Sequence, residues 1–257
     1  MPAGSLDRWA DDYERGRPGW PPPVLDTVAL PPKSTVLELG AGTGKLTRLL
    51  IAAFGRVFAV EPAEAMRRLL VTLCPNAESL DGTAQEIPLP EGSVDAVFAA
   101  EAFHMFEGVP ALAEIARVLP PRGPLILMWN LPAGPWVPST ADVEQLLYER
   151  GPKPGEVSYD PLDLDGPQYT SGEWRRALAD SPFAPLREAR LANPQVVDRD
   201  GLVAFFASMG WLADLPDKER LPLLDEVRSL LPAAEYQRQW ETHVHWTRPR
   251  RKHPKHA

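Results

Sequence analysis

The most chemistry-laden spacing lies in the stretch Val36-Leu37-Glu38-Leu39-Gly40-Ala41-Gly42-Thr43-Gly44. A short apolar run ends in glycines at alternate positions, and apolar residues at helical spacing resume from Leu46 to Phe54. Glycines at a strand-to-helix turn let the backbone bend sharply and bring N–H groups against a ligand. The spacing is G-x-G-x-G, and Lys45 stands where a dinucleotide fingerprint carries its third glycine. A Walker-type phosphate loop does not fit either: Leu39 takes the place of its first glycine and Leu46 that of its Ser/Thr. Glu61 closes the next apolar run, Arg56 to Val60, at 61 − 40 = 21 residues after Gly40. In a doubly wound sheet the second strand lies beside the first, so a carboxylate at its tip flanks the glycine turn. It can accept both hydroxyl protons of a ribose, each hydrogen bond to a charged group being worth about 1.5–3 kcal/mol. Glu61 alone reads equally well as a solvated loop residue or a charge opening the helix that follows. The glycine turn at the right distance favours ribose.

The elements that position these residues alternate. Strands are expected at 35–39, 56–60, 77–80, 94–100 and 125–129, and helices at 46–54, 63–73 and 110–119. Short apolar strands separated by helices of about ten residues imply βαβ units and a parallel sheet. Ahead of them, residues 5–16 and 24–30 read as short helices separated by the prolines of 18–23. Beyond Asn130, helices are expected at 139–150, 174–179, 200–209 and 221–231, a long loop or lid at 151–172 and a strand at 186–197. Trp240, Thr242, Val244 and Trp246 alternate as in a last strand.

Composition sets the bounds. The chain has 257 residues, 27 basic and 35 acidic, so its net charge is 27 − 35 = −8. Hydrophobic residues at 44% and charged residues at 24% are those of a soluble globular protein. Cys74 is the lone cysteine, which excludes a disulfide scaffold and a cysteine zinc cluster. No apolar run reaches the roughly 20 residues of a membrane span, and the charged N-terminus has no apolar signal core, so a cytoplasmic setting is expected. The acidic balance argues against nucleic-acid binding. The 30 prolines punctuate apolar segments and read as element ends rather than as disorder. His243 and His245 sit two apart on the last strand and read as a surface pair; no metal site is expected. The basic end, Arg248 to Ala257, reads as a disordered tail.

In order and spacing, VLELGAGTGKLT, VFAVEP, GTAQEIPLPEGSVDAVFAAEAFHMF and ARVLPPRGPLILMWN resemble the motifs of class I S-adenosylmethionine-dependent methyltransferases. The likeness is to the small-molecule branch known as type 11 or ubiquinone/menaquinone-biosynthesis-like. Tyr13-Glu14-Arg15-Gly16-Arg17-Pro18 further resembles the Y-x-x-x-R-P element of a subgroup that includes relatives of trans-aconitate methyltransferase. The strong likeness covers about residues 7–130. It implies an α/β fold: a Rossmann-like, doubly wound, mostly parallel seven-stranded sheet with an antiparallel last strand and a helical lid. The implied division is an N-terminal arm (1–34), a cofactor-binding core (35–138), lid helices with the final strands (139–247) and the tail (248–257).

The resemblance also implies roles. Gly40, Ala41, Gly42 and Thr43 pass their backbone close to the methionine portion of S-adenosylmethionine, and Glu61 holds the ribose. Pro62 follows, with Met66 placed for the adenine face or, equally by its spacing, for the helix core. Thr83, Ala84 and Gln85 follow the third strand at the adenine; relatives often carry an acid where Thr83 stands. Arg17 is the candidate clamp for the cofactor carboxylate, with Tyr13 beside it. Where relatives read Q-A-F-H-W-F this chain reads Glu101-Ala102-Phe103-His104-Met105-Phe106, so the acceptor wall differs at Glu101 and Met105; Glu101 is counted among the cofactor-binding residues. His104 is the candidate general base, or a residue that orients its loop. The expected reaction is methyl transfer to an O-, N- or C-nucleophile of a small organic molecule, a carboxylate among them. A non-catalytic S-adenosylmethionine-binding protein and a nicotinamide-dependent oxidoreductase are the alternatives.

Overall fold

The computed structural model describes residues 3–153, 167–179 and 181–250. In chain order its elements are α1 (Ala3–Gly16), β1 (Thr35–Leu39), α2 (Thr47–Ala53), β2 (Arg56–Val60), α3 (Glu64–Leu73), β3 (Glu78–Leu80), β4 (Ala96–Ala100), α4 (Gly108–Val118) and β5 (Leu125–Pro132). There follow α5 (Ala141–Arg150), α6 (Pro167–Thr170), α7 (Glu173–Ala179), β6 (Arg187–Asp198), α8 (Arg199–Ala207), α9 (Gly210–Asp214), α10 (Asp217–Ser229) and β7 (Glu235–Thr247). The strands form one seven-stranded sheet in the order β3-β2-β1-β4-β5-β7-β6. Six strands are parallel and β7 is antiparallel.

The chain divides into two compact units. One comprises residues 22–129, 171–191 and 243–257; the other comprises 1–21, 130–170 and 192–242. In the first, β1 and β4 read TVLEL and AVFAA, apolar almost throughout and buried almost throughout, as parallel strands covered on both faces must be. β1 and β2 pair in parallel, with Val36 opposite Val57 and Leu39 opposite Val60, so the two strands end level with each other. Helix α4 buries Ala111, Leu112, Ile115 and Val118, one stripe of a 3.6-residue period. Glu114 and Arg117 on that helix anchor the loop after β3. The Glu114 carboxylate accepts the Ile87 N–H at 3.0 Å, and Arg117 donates to the carbonyls of Ile87 and Leu89.

In the second unit, Trp136, Phe205, Phe206, Trp211, Tyr236 and Trp240 fill an aromatic core. Trp136 lies wholly within it. Helix α1 lies against α8: Trp9 donates its indole N–H to the Ser208 carbonyl at 2.9 Å, and Gly16 sits where a side chain would strike the Phe205 backbone. Arg220 of α10 is buried and bonded to Asp12.

Several sequence expectations are corrected. The helix expected at 24–30 is a 3-10 turn over Pro22–Thr27: both prolines open it, where their missing N–H is harmless, and the Thr27 hydroxyl closes it by donating to the Val24 carbonyl at 2.7 Å. Helix α10 starts at Asp217 and carries Pro222 inside it, although an internal proline costs about 3 kcal/mol. The strands expected at 125–129 and 240–247 extend to Pro132 and back to Glu235. β6, with Pro194 in its middle, is the edge strand, where proline forfeits no ladder bond. Residues 248–250, expected in the tail, are held in place: the Arg248 backbone carbonyl accepts the Ala184 N–H at 2.9 Å, and the Arg250 side chain donates to the Phe183 carbonyl at 2.7 Å. Residues 251–257, and 154–166 of the expected lid, lie outside the described residues. Among the described residues no helix is long and apolar enough to cross a membrane.

Candidate functional site

The level ends of β1 and β2 bring Gly40 and Glu61 side by side. The N–H groups of Gly40 and Ala41 both donate to the Val60 carbonyl, at 2.9 and 3.1 Å, which folds the glycine turn back over the tip of β2. Gly40 and Gly42 have φ of 67° and 57°, the left-handed region that L side chains rarely adopt. They are glycine for different reasons. A Cβ on Gly40 would lie 2.6 Å from the Ala102 Cβ; one on Gly42 would meet nothing within 4 Å. Gly40 is packed, whereas the face of Gly42 is open to a ligand.

Glu61 completes the turn. Its Oε2 accepts the Gly42 N–H at 2.8 Å and its Oε1 accepts the Ala63 N–H at 2.8 Å. The residue is 7% exposed. Burial raises its pKa, against lowering by the two backbone N–H groups and Arg67. A carboxylate oxygen can accept more than one hydrogen bond, so each oxygen keeps capacity for a hydroxyl. Arg67, which sequence reading missed, pins the loop by donating to the carbonyls of Glu61 and Pro62 at 2.6 and 3.0 Å and pairing with Asp81 at 3.1 Å.

Glu38 was also missed, hidden inside an apolar strand. It is 2% exposed and accepts the Thr47 hydroxyl at 2.6 Å. Burial drives its pKa up to about 8, so the acid is largely protonated at neutral pH; the Thr47 bond opposes this and the nearby Glu61 reinforces it.

The other expected residues fall on the same unit except two. Thr43 and Ala41 are buried in the turn, and Met66 is buried on α3. Thr83 bridges Glu86 in the loop after β3; Ala84 is buried and Gln85 half-buried. Glu101, directly after β4, has φ of 51° without being glycine, and its N–H donates to the Met128 carbonyl at 2.9 Å. Backbone held in that region by a residue with a side chain stores about 1–3 kcal/mol and recurs at functional sites. His104 follows on a single 3-10 turn, Phe103–Met105. Its Nδ1 lies 3.2 Å from the Trp129 indole nitrogen. Tyr13 and Arg17 belong to the other unit. There Arg17 donates through Nε to the Ser208 hydroxyl at 2.8 Å, with its guanidinium 5.2 Å from the Phe205 ring centre.

The expected surface pair His243 and His245 is a correction: both are buried. The ring of His245 packs against Trp174 at 5.1 Å and Trp129 at 6.1 Å between centres. Desolvation, with Arg175, His243 and Arg190 adding positive charge nearby, depresses its pKa to about 4. Period-2 spacing put the two histidines on one face correctly but could not say which elements cover it. Among the described residues no group of three or more His, Cys, Asp or Glu is placed to hold a metal.

A family model described as "Methyltransferase domain" matches residues 37–127. The chain is similar to an uncharacterized methyltransferase of Mycobacterium tuberculosis, 36% identical over 219 residues, which are 85% of this chain and 82% of that protein. A methyltransferase-like protein of Schizosaccharomyces pombe is 31% identical over 233 residues, 86% of this chain and 84% of that one. Among solved structures, a candidate type II methyltransferase from Anaeromyxobacter dehalogenans shares the fold with a TM-score of 0.63 and 24% identity, over 90% of this chain and 97% of the other.

Proposed function

Because the chain belongs to the class I S-adenosylmethionine-dependent methyltransferases, we propose that it methylates a small organic molecule at an O-, N- or C-nucleophile. The observation that carries the residue-level reading is the contact of the Glu61 carboxylate with the Gly42 N–H at 2.8 Å. It leaves one anion and one open stretch of backbone side by side, which suits a nucleoside with both ribose hydroxyls free. When bound, S-adenosylmethionine supplies a methyl group on a positively charged sulfur.

In this reading Gly40, Ala41, Gly42 and Thr43 line the methionine portion, Glu61 takes the ribose, and Pro62, Met66, Thr83, Ala84 and Gln85 border the adenine. Tyr13 and Arg17 are assigned the cofactor's carboxylate on the resemblance of their segment alone. Glu101 borders the cofactor, and His104 faces the acceptor. What the protein contributes is chiefly alignment of nucleophile, methyl carbon and sulfur, and positioning of that kind can lower a barrier by about 7–11 kcal/mol. The likeness of the Tyr13–Pro18 element to relatives of trans-aconitate methyltransferase favours a carboxylate acceptor.

Two measurements test this. Calorimetry on the full chain should show binding of S-adenosylmethionine and S-adenosylhomocysteine and none of NAD. A turnover screen with labelled methyl donor over pooled metabolites should then transfer label to an acidic small molecule. Binding of NAD in place of the methyl donor overturns the cofactor assignment. Cofactor binding with silence across every pool favours a non-catalytic binding protein.

A further inference from the structure

The indole nitrogen of Trp129 carries a hydrogen and no lone pair to offer, so it can only donate. It lies 3.2 Å from Nδ1 of His104, which must therefore accept. A neutral imidazole has one protonated and one bare nitrogen, and which is which follows from the bond the ring makes. Trp129 is fixed in turn: it is 1% exposed inside β5, with its ring centre 4.6 Å from that of Trp174 and 6.1 Å from that of His245. Phe103, beside His104, also packs on Trp174, at 6.4 Å. The donor is thus locked by packing, and the turn bearing the acceptor is clamped to the same rings.

We infer that Trp129 is a positioning residue that holds His104 with its proton on Nε2, so that His104 serves the reaction as a hydrogen-bond donor rather than as a general base. This deepens the reading above and rests on it for the word reaction. A base at this place would have to take the acceptor's proton on Nδ1, because Nε2 already carries one, and Nδ1 is the atom given to Trp129. A donor at Nε2 suits an acceptor that arrives ionised. For a carboxylate, an oxygen lone pair forms the new bond to the methyl carbon while the carbon–sulfur bond breaks and its electron pair stays on sulfur. The products are a neutral ester and a neutral thioether, and no proton moves. The substrate class this geometry suits is an oxyanion, carboxylate foremost.

The test needs neither cofactor nor substrate, so its failure is separate from failure of the functional reading. The full-length protein, with 15N in its histidine and tryptophan side chains, is examined by long-range nitrogen–proton correlation about two pH units above the ordinary histidine value of about 6.5. The His104 signals are assigned by their loss in His104→Gln. The expected result is a bare Nδ1 and a protonated Nε2 in a single tautomer, with both tautomers appearing in Trp129→Phe. A merely structural role for Trp129 would leave the tautomer populations alone. Should Trp129→Phe fail to fold, the Trp129 indole signal in His104→Gln decides: it must move. A protonated Nδ1, an unchanged tautomer in Trp129→Phe, or an unmoved indole signal overturns the proposal.

Discussion

The Gly42 amide and the Glu61 carboxylate meet at 2.8 Å although 19 residues of chain separate them. Equal strand lengths and the in-register pairing of β1 with β2 produce the meeting. Gly42→Ala should therefore separate stability from binding. The new methyl group meets no protein atom, so the cost is the left-handed backbone, about 1–2 kcal/mol. Thermal denaturation should show a fall of a few degrees, while calorimetry should show affinity for S-adenosylhomocysteine lowered at least about tenfold. Unchanged affinity would mean that the ligand does not approach Gly42.

Glu38 makes stability depend on pH. Its carboxyl titrates near 8 when folded and near 4.5 when unfolded, so between those values the folded state binds more protons and stability falls as pH rises. His245, half protonated at pH 6.5 only in the unfolded chain, adds a slope of the opposite sign that is the same in both proteins, so the difference between them reports Glu38. Urea denaturation between pH 6.5 and 8 should show a declining stability that flattens in Glu38→Gln, which keeps an acceptor for Thr47. An equal slope in both proteins would contradict the buried acid.

His245 acts on the acid side. Its folded pKa near 4 lies below the unfolded 6.5, so in that interval the unfolded chain binds more protons and stability falls as pH drops. In the Glu38→Gln background, where the opposing contribution is gone, His245→Phe keeps a ring beside Trp129 and Trp174 and should reduce the loss between pH 6.5 and 4. If the acid limb is the same with and without the histidine, its burial as a neutral ring is wrong.

The backbone at Glu101 reverses an ordinary preference. Alanine normally exceeds glycine in stability, but at φ of 51° glycine escapes a strain of about 1–2 kcal/mol. Glu101→Gly should therefore be the more stable of the pair Glu101→Gly and Glu101→Ala in denaturant titration. The usual order would show that the strain is absent.

β1, β2, β4 and β5 were legible because buried parallel strands are apolar runs and each is punctuated by glycine or proline. The glycine turn and Glu61 were legible because strand order converts a spacing of 21 residues into adjacency. What escaped depended on partners in other elements and loops. Glu38 carried no signal inside its apolar run; its role comes from Thr47 on the next helix, which bonds it. Arg67, Glu114 and Arg117 carried no signal in the sequence, yet they fix the loops after β2 and β3. His243 and His245 were placed on one face, but no pattern in the strand announced that Trp129 and Trp174 pack against His245. His104 was found by type and location; its tautomer needed Trp129, 25 residues away.

The most direct measurement compares S-adenosylhomocysteine with its 2′-deoxyribose counterpart by calorimetry, on the natural protein and on Glu61→Ala. A carboxylate gripping the ribose predicts that the natural protein loses at least about tenfold in affinity when the hydroxyl is removed, in line with about 1.5–3 kcal/mol for a hydrogen bond to a charged group. It also predicts that Glu61→Ala binds both compounds weakly and alike. Full-strength binding of S-adenosylhomocysteine by Glu61→Ala would contradict the account.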